Sequence, residues 1–381
     1  MVKRTIALSK PTMDQKELVA VRRPIDSGWL TQGPEVEAFE EEFAKAHNVS
    51  YAVAVTSATT GLHLALLSVG IKPGDEVLVP SFTWISTANA VLYCGATPIL
   101  VDCDAATFNL NEEDLLRKIT SKTRAIIVVH LFGRCVDVPS LSFKLPRQIP
   151  IIEDAACAAG AKFKNLHAGS MGEVAVFSFH PRKTLTTGEG GMITSNSAEV
   201  VSLARTLRNH GASTDQRSNL GISMNLQMPE FNDLGFNYRM TDIQAAIGRV
   251  QLAKLSDFIV ERHKLVRIYQ ERLSEVEGLV LPALGEDLHH SLQSFVLMLS
   301  GDGTRRDSLS RFLEVNGIST RPGTHAVHTL GYFQKVFGYK NEDLPGAFDC
   351  SRNSLAIPLH NSLEVSDINY VCDTIIEWSN L

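Results

Sequence analysis

Nowhere does this chain approach the ~20 consecutive apolar residues that a membrane helix needs. Its opening stretch, "MVKRTIALSKPTMDQKE", has no sustained apolar segment, so neither a signal peptide nor an anchor is expected. No C-x-x-C pair occurs: Cys94, Cys103, Cys135, Cys157, Cys350 and Cys372 all stand apart. In a chain of 381 residues that spacing reads as reduced, mostly buried thiols and favours the cytoplasm. Twelve histidines are present, but H-E-x-x-H is absent and no zinc site is expected. Basic excess is lacking too. The net charge is -6, which gives no reason to expect nucleic acid or an anionic membrane as partner. Repeats and low-complexity linkers are missing.

What remains is 44% hydrophobic and 20% charged, ordinary globular material for a large core and two domains. Between about 50 and 195, short β-rich runs alternate with helical patterns. Strands are expected at 51–55, 76–80, 98–101, 125–130, 149–154, 174–179 and 191–195. Runs this apolar are buried on both faces, which predicts a largely parallel sheet covered by helices. After the first strand, Leu62, Ala65, Leu66 and Val69 fall on one helix face, with Ser57 as N-cap and Gly70 as terminator. From Thr241 to about Val276 a long helix is expected, its apolar stripe running through Leu252, Leu255, Ile259, Val266 and Leu273. Glu261, Arg262 and Lys264 are assigned to its charged side. The stretch 140–150 is poorly patterned and reads as a surface connection. A smaller α+β unit follows, closing with a helix over 366–378. The expected division is a large domain over 1–250 and a small one over 251–381, joined by the long helix.

Four local signals bear on chemistry. "TSATTG" (56–61) is a small-residue turn between strand and helix, where free amides and the helix dipole suit a phosphate. Alone it is more often a plain helix cap. Asp154 ends an apolar strand, the edge at which open α/β sheets bind ligands; the ordinary reading is a helix cap. Trp84 stands at a strand-to-helix turn, where most tryptophans fill core and a few stack on a flat ligand. Lys183 sits in "FSFHPRKTLTTGEGGM" (177–192), between an apolar strand and a glycine-rich turn. A nucleotide-binding phosphate loop needs glycine immediately before the lysine, and Arg182 is there instead. A phosphate turn, a strand-end aspartate, an aromatic plate and a turn-borne lysine together make a pyridoxal phosphate site. There the lysine amine joins the cofactor aldehyde as a Schiff base and moves protons, and the aspartate keeps the pyridine nitrogen protonated.

Longer motifs then carry a resemblance. "SGWLTQGPEVEAFEEEFA" (27–44), "SATTGLHLAL" (57–66), "GDEVLVPSFTWISTANAV" (74–91), "GATPILVDCD" (95–104), "EDAACAAGA" (153–161), "LRNHG" (207–211), "FNYRMTDIQAAIG" (236–248) and "IPLH" (357–360) follow in order. With the lysine motif they resemble the DegT/StrS nucleotide-sugar aminotransferases. That resemblance implies an α/β, aspartate-aminotransferase-like (fold type I) large domain, with a mostly parallel sheet between helices, and a smaller C-terminal α+β domain.

By the same resemblance, Lys183 and Asp154 are the catalytic pair and Trp84 the stacking ring. Ala58, Thr59 and Ser178 become phosphate ligands. Asn237 reaches the cofactor of a neighbouring subunit, so a homodimer with shared sites is implied. Cys157 occupies a position where relatives carry Gln or His near the cofactor's phenolic oxygen, and a thiol is a weaker partner there. The stretch 320–328 departs from the family's "HY-x-P-x-H" pattern. Arg321, His325 and His328 are its candidates for substrate, with packing on one helical turn as the alternative for the histidines. Leu30 and Thr31 lie in "SGWLTQGP", which resembles the entry motif of members aminating C-4 keto sugars rather than C-3.

The function implied is transfer of the amino group of L-glutamate to a 4-keto-6-deoxy sugar nucleotide. Alternatives are a C-3 or non-nucleotide keto-sugar, and a cofactor-binding regulator or scaffold. A related dehydratase branch carries histidine in place of the lysine, so Lys183 argues against it.

Overall fold

The computed structural model describes residues 4–213, 229–285 and 288–381. Seven strands build the main sheet in the spatial order Tyr51–Val55, Gly191–Ser195, Val174–Ser178, Ile151–Asp154, Thr123–Val129, Glu76–Pro80, Thr97–Val101. Their side chains are almost wholly buried, as continuous apolar runs require when helices cover both faces. Four neighbouring pairs are parallel. Gly191–Ser195 instead runs against both of its neighbours. The cause is local: a parallel return needs a crossover helix, and residues 179–190 contain none. That loop carries Lys183 back along the sheet edge instead.

Tyr51–Val55, Ile151–Asp154 and Val174–Ser178 point the same way, so Ser57, Asp154 and Ser178 collect at one edge. Helix Ala58–Ser68 begins there. Ser57 caps it reciprocally with Thr60, and Gly70 follows its end at φ 84°. Burial covers more of this helix than one face, since Gly61 through Leu66 are all enclosed; Val69, expected on the stripe, is its half-buried C-cap.

The long helix spans Asp242–Leu273 behind a Thr241–Gln244 capping box. Its first half packs Ala245, Leu255 and Ile259 with Phe39 and Phe43 under the main sheet. Its second half packs Val266, Tyr269 and Leu273 with Phe295 and Leu355 in a separate core. That second core lies against an antiparallel sheet ordered Leu279–Val280, Phe295–Leu299, Ser354–Ile357, Arg321–Pro322, and against helix Val365–Ser379. Ile6 joins this C-terminal core and bridges to Ile318, unlike the expected grouping of the N-terminal segment with the large domain.

Two local readings are corrected. Residues 138–144 form a helix capped by Asp137, where only a connection was expected. Arg262 is not on a charged outer face: it is buried, donating to the carbonyls of Leu292 (2.9 Å) and Gln293 (3.2 Å) and to Asn361 Oδ1 (2.9 Å). Burial lowers its pKa to about 10. A guanidinium has enough donors to satisfy several irregular carbonyls at once, which explains its place at the joint between the two cores.

Candidate active site

A cavity of about 320 Å³ opens at the sheet edge and brings together Ala58, Thr59, Trp84, Asp154, Ser178 and Lys183. Ala58 and Thr59 open one helix, Asp154 and Ser178 end two strands, and Trp84 and Lys183 come from connections. Asp154 is the last residue of its strand and is buried at the cavity. Its carboxylate accepts from Thr87 Oγ1 (2.7 Å) and from the Ala156 amide (3.2 Å), and no cation among the described residues pairs with it. Burial raises its pKa, against the opposing pull of Thr87, Ala156 and Lys183. Such an acid has acceptor capacity to spare for a cationic N–H.

On the opposite side the capping box satisfies the amides of Ser57 and Thr60. The amides of Ala58 and Thr59 have no partner among the described residues, as the first turn of a helix leaves them. The hydroxyls of Thr59 and Ser178 line the same wall. Two free N–H donors, two hydroxyls and the helix dipole form a donor set suited to a phosphate. The main chain closes in tightly here: a Cβ on Gly191 would stand 2.7 Å from Ser57 C and 2.8 Å from the Ala58 amide nitrogen. Trp84 is 50% exposed, which rules out the core-filling role. Its ring lies 5.5 Å from that of His325, tilted by 46°.

Lys183 Nζ contacts Cys157 Sγ at 3.1 Å, and both line the cavity. An amine, a buried acid, an apolar plate and a phosphate-type donor set around one cavity fit pyridoxal phosphate. Lys183, Asp154, Trp84, Ala58, Thr59 and Ser178 are the residues that would hold it.

Other expected positions separate. Arg321 lines the cavity, half-buried, and among the described residues donates only to Gly323 O (3.2 Å). His325 lies beside Trp84 in a short strand paired with Thr83, not on a helical turn. His328 is a correction: it is fully buried, its ring bonded to Ser81 Oγ (2.8 Å) and Asn341 O (3.1 Å), and serves packing. Leu30 and Thr31 are exposed and lie outside the cavity; their carbonyls accept from the Asp242 amide. Asn237 is exposed as well and does not line its own chain's cavity. Sequence reasoning missed Thr87, which holds Asp154. It also missed Glu153, fully buried against His130 Nε2 (2.7 Å), which accepts from the amides of Gly169, Met171 and Gly172 and so shapes the loop behind the site. The four-residue spacing of Thr83 and Thr87 was the available signal for the first.

Among the described residues, no group of His, Cys, Asp and Glu could hold a metal ion, and no helix is long and apolar enough to cross a membrane. Residues 11–376 match the model of the DegT/DnrJ/EryC1/StrS aminotransferase family. The chain is 38% identical to GDP-perosamine synthase of Caulobacter vibrioides, over 96% of each chain. It is 34% identical to GDP-perosamine synthase of Escherichia coli O157:H7, over 98% of each. A Streptococcus pneumoniae protein assigned as a sugar aminotransferase superposes in its PMP form with a TM-score of 0.92, at 26% identity over 98% of both chains. The same protein in its PLP form gives 0.91. By site and by match across nearly its whole length, the chain belongs to the DegT/DnrJ/EryC1/StrS family and is a pyridoxal phosphate-dependent sugar aminotransferase.

Proposed function

We propose that this enzyme moves the amino group of L-glutamate onto C-4 of a 4-keto-6-deoxy sugar carried on a nucleoside diphosphate, working as a homodimer with shared sites. The observation carrying this reading is the convergence of Lys183, Asp154 and the two unpartnered amides of Ala58 and Thr59 on one cavity. Two relatives whose name joins GDP to an amino sugar support the sugar-nucleotide assignment. The "SGWLTQGP" motif supports C-4. Exposure of Asn237 outside its own cavity supports a role across a subunit boundary.

Bound pyridoxal phosphate supplies the carbonyl that exchanges for an amine and a ring that accepts electron density while a C–H bond breaks. Lys183 Nζ takes the proton from Cα of the amino donor and, in the second half, delivers one to the sugar carbon that was the ketone. Asp154 holds the proton on the pyridine nitrogen, and its burial makes that ion pair strong. The amides of Ala58 and Thr59, with the Ser178 hydroxyl, hold the phosphate, and Trp84 gives the ring a flat apolar wall.

Visible absorption of the cofactor-loaded protein tests the reading. L-Glutamate should convert the absorption band to that of the amine form, and a GDP-linked 4-keto-6-deoxy sugar should restore it. A band indifferent to glutamate would sink the donor assignment; conversion without restoration by UDP-, GDP- or dTDP-linked 4-keto sugars would sink the acceptor assignment.

A further inference from the structure

Arg182 directly precedes Lys183, and with Arg321 it lines the cavity. Neither guanidinium has an acidic partner among the described residues: the Arg182 side chain makes no hydrogen bond, and that of Arg321 reaches only Gly323 O at 3.2 Å. Both lie close enough to act on one another, since Arg182 adds to the burial that lowers the pKa of Arg321. His180 lines the same cavity; its pKa is lowered first by burial and also by all three cations, with Glu189 alone opposing. Glu189 is exposed, and its carboxylate makes no ion pair among the described residues.

The backbone that carries Arg182 is fixed while its side chain is free. Its amide donates to His180 Nδ1 (3.1 Å) and its carbonyl accepts from Gln293 Nε2 (2.8 Å). The Gln293 carbonyl is held in turn by buried Arg262 at 3.2 Å. Two unpaired like charges on one cavity raise each other's energy, and an anion with two negative charges relieves both. Guanidinium forks suit carboxylates in particular.

We propose that Arg321 and Arg182 form a two-point clamp for a dicarboxylate amino donor, with Arg182 as the specificity-determining residue that takes the distal carboxylate. Arg321 is the inner member: it is half-buried and feels Cys157, which touches Lys183 Nζ. It takes the carboxylate on the carbon that loses its amine. Arg182 is exposed and outer, at the end where the donor's second carboxylate arrives. This assignment rests on the aminotransferase reading above and goes beyond it by explaining which amino acid is accepted.

The test compares L-glutamate with its neutral isostere L-glutamine in the donor half-reaction of the loaded enzyme, with no sugar present. In Arg182→Gln, kcat/KM for glutamate should fall about tenfold or more while glutamine changes less than about threefold, collapsing the preference. Arg182→Lys should recover part of it, because charge survives and the fork does not. An unchanged glutamate-to-glutamine ratio in Arg182→Gln would overturn the clamp. So would an intact donor half-reaction with a raised KM for the sugar nucleotide, which would place Arg182 on a diphosphate. A wild-type enzyme responding to neither amino acid would fail earlier, at the donor assignment itself, and take the clamp with it.

Discussion

Lys183 Nζ lies 3.1 Å from the sulfur of Cys157, and this is the only hydrogen-bonding contact of that amine among the described residues. A thiol binds an amine weakly, so Lys183 is oriented but not tied. Lys183→Ala should therefore remove turnover by about 10⁴-fold or more, because proton transfer and cofactor attachment both depend on the amine. Cys157→Ala should cost no more than about tenfold, since only orientation is lost. Steady-state rates and the visible spectrum of each variant check this pair; comparable losses in both would refute the division of roles.

Asp154 is a buried acid whose pKa is raised by that burial. For a raised carboxylate the stabilising form is the neutral one. Its contribution is complete below the unfolded pKa and is lost as pH rises through the folded one. Burial thus disfavours the charged form of Asp154 in the cofactor-free protein. Asp154→Asn should leave the cofactor-free protein equally or more heat-stable, by up to several degrees, while lowering turnover roughly 10²–10³-fold. Thermal melts without cofactor, set beside activity assays, decide the point. A large drop in melting temperature would mean that Asp154 is structural.

Gly191 lies against backbone that cannot move aside. The added carbon of Gly191→Ala would sit 2.7 Å from Ser57 C, 2.8 Å from the Ala58 nitrogen and 2.8 Å from the Phe177 carbonyl oxygen. Relief requires displacing the first turn of Ala58–Ser68, the helix proposed to hold the phosphate. Overpacking of this kind costs about 1–3 kcal/mol, and cofactor affinity should fall by tenfold or more. Equilibrium dialysis measures it; unchanged affinity would show that the helix start is not the phosphate site.

If Asn237 completes a neighbouring subunit's site, inactive Lys183→Ala and Asn237→Ala proteins should regain up to about a quarter of wild-type activity when mixed and allowed to exchange subunits. That figure follows from random pairing into one intact site per mixed dimer. No recovery, with exchange confirmed by a mass tag and with Asn237→Ala clearly defective alone, would place each site within one chain.

Two buried histidines contribute to the acid limit. Burial lowers the pKa of His47 to about 4 and that of His290 to about 3. His47 is held neutral by geometry, with Nδ1 donating to Phe43 O (3.1 Å) and Nε2 accepting from the Gly160 amide (3.2 Å). Because the folded values are depressed, the unfolded chain binds more protons, and stability falls as pH drops from about 6.5 towards 4. Two protons give a slope approaching 2.7 kcal/mol per pH unit (about 1.36 each). Urea midpoints at pH 6.5, 5.5 and 4.5 should show it, and His47→Gln should reduce the slope by about one proton. An unaltered slope would remove His47 from the account.

The sequence by itself determined most of the elements and named most of the residues proposed to hold the cofactor. Doubly buried strands must be apolar throughout, so their runs stand out; Asp154 ends one of them, Trp84 follows a short strand, and Lys183 lies in the loop after another. The capped start of Ala58–Ser68 was legible for the same reason: capping chemistry is local.

What only the tertiary structure decided depends on contacts distant along the chain. A lone arginine in a helical pattern reads as solvated, yet Arg262 is buried because carbonyls from 292–293 and 359 converge on it. His328 looked like a ligand until Ser81, far away in sequence, claimed its ring. The reversed strand Gly191–Ser195 follows from a loop without a crossover helix, and hydrophobic patterning carries no strand direction. Arg182 served only to exclude a phosphate loop until the fold set it beside Arg321. Periodicity reports which face of an element is buried; only three-dimensional packing brings two unpaired charges to one cavity.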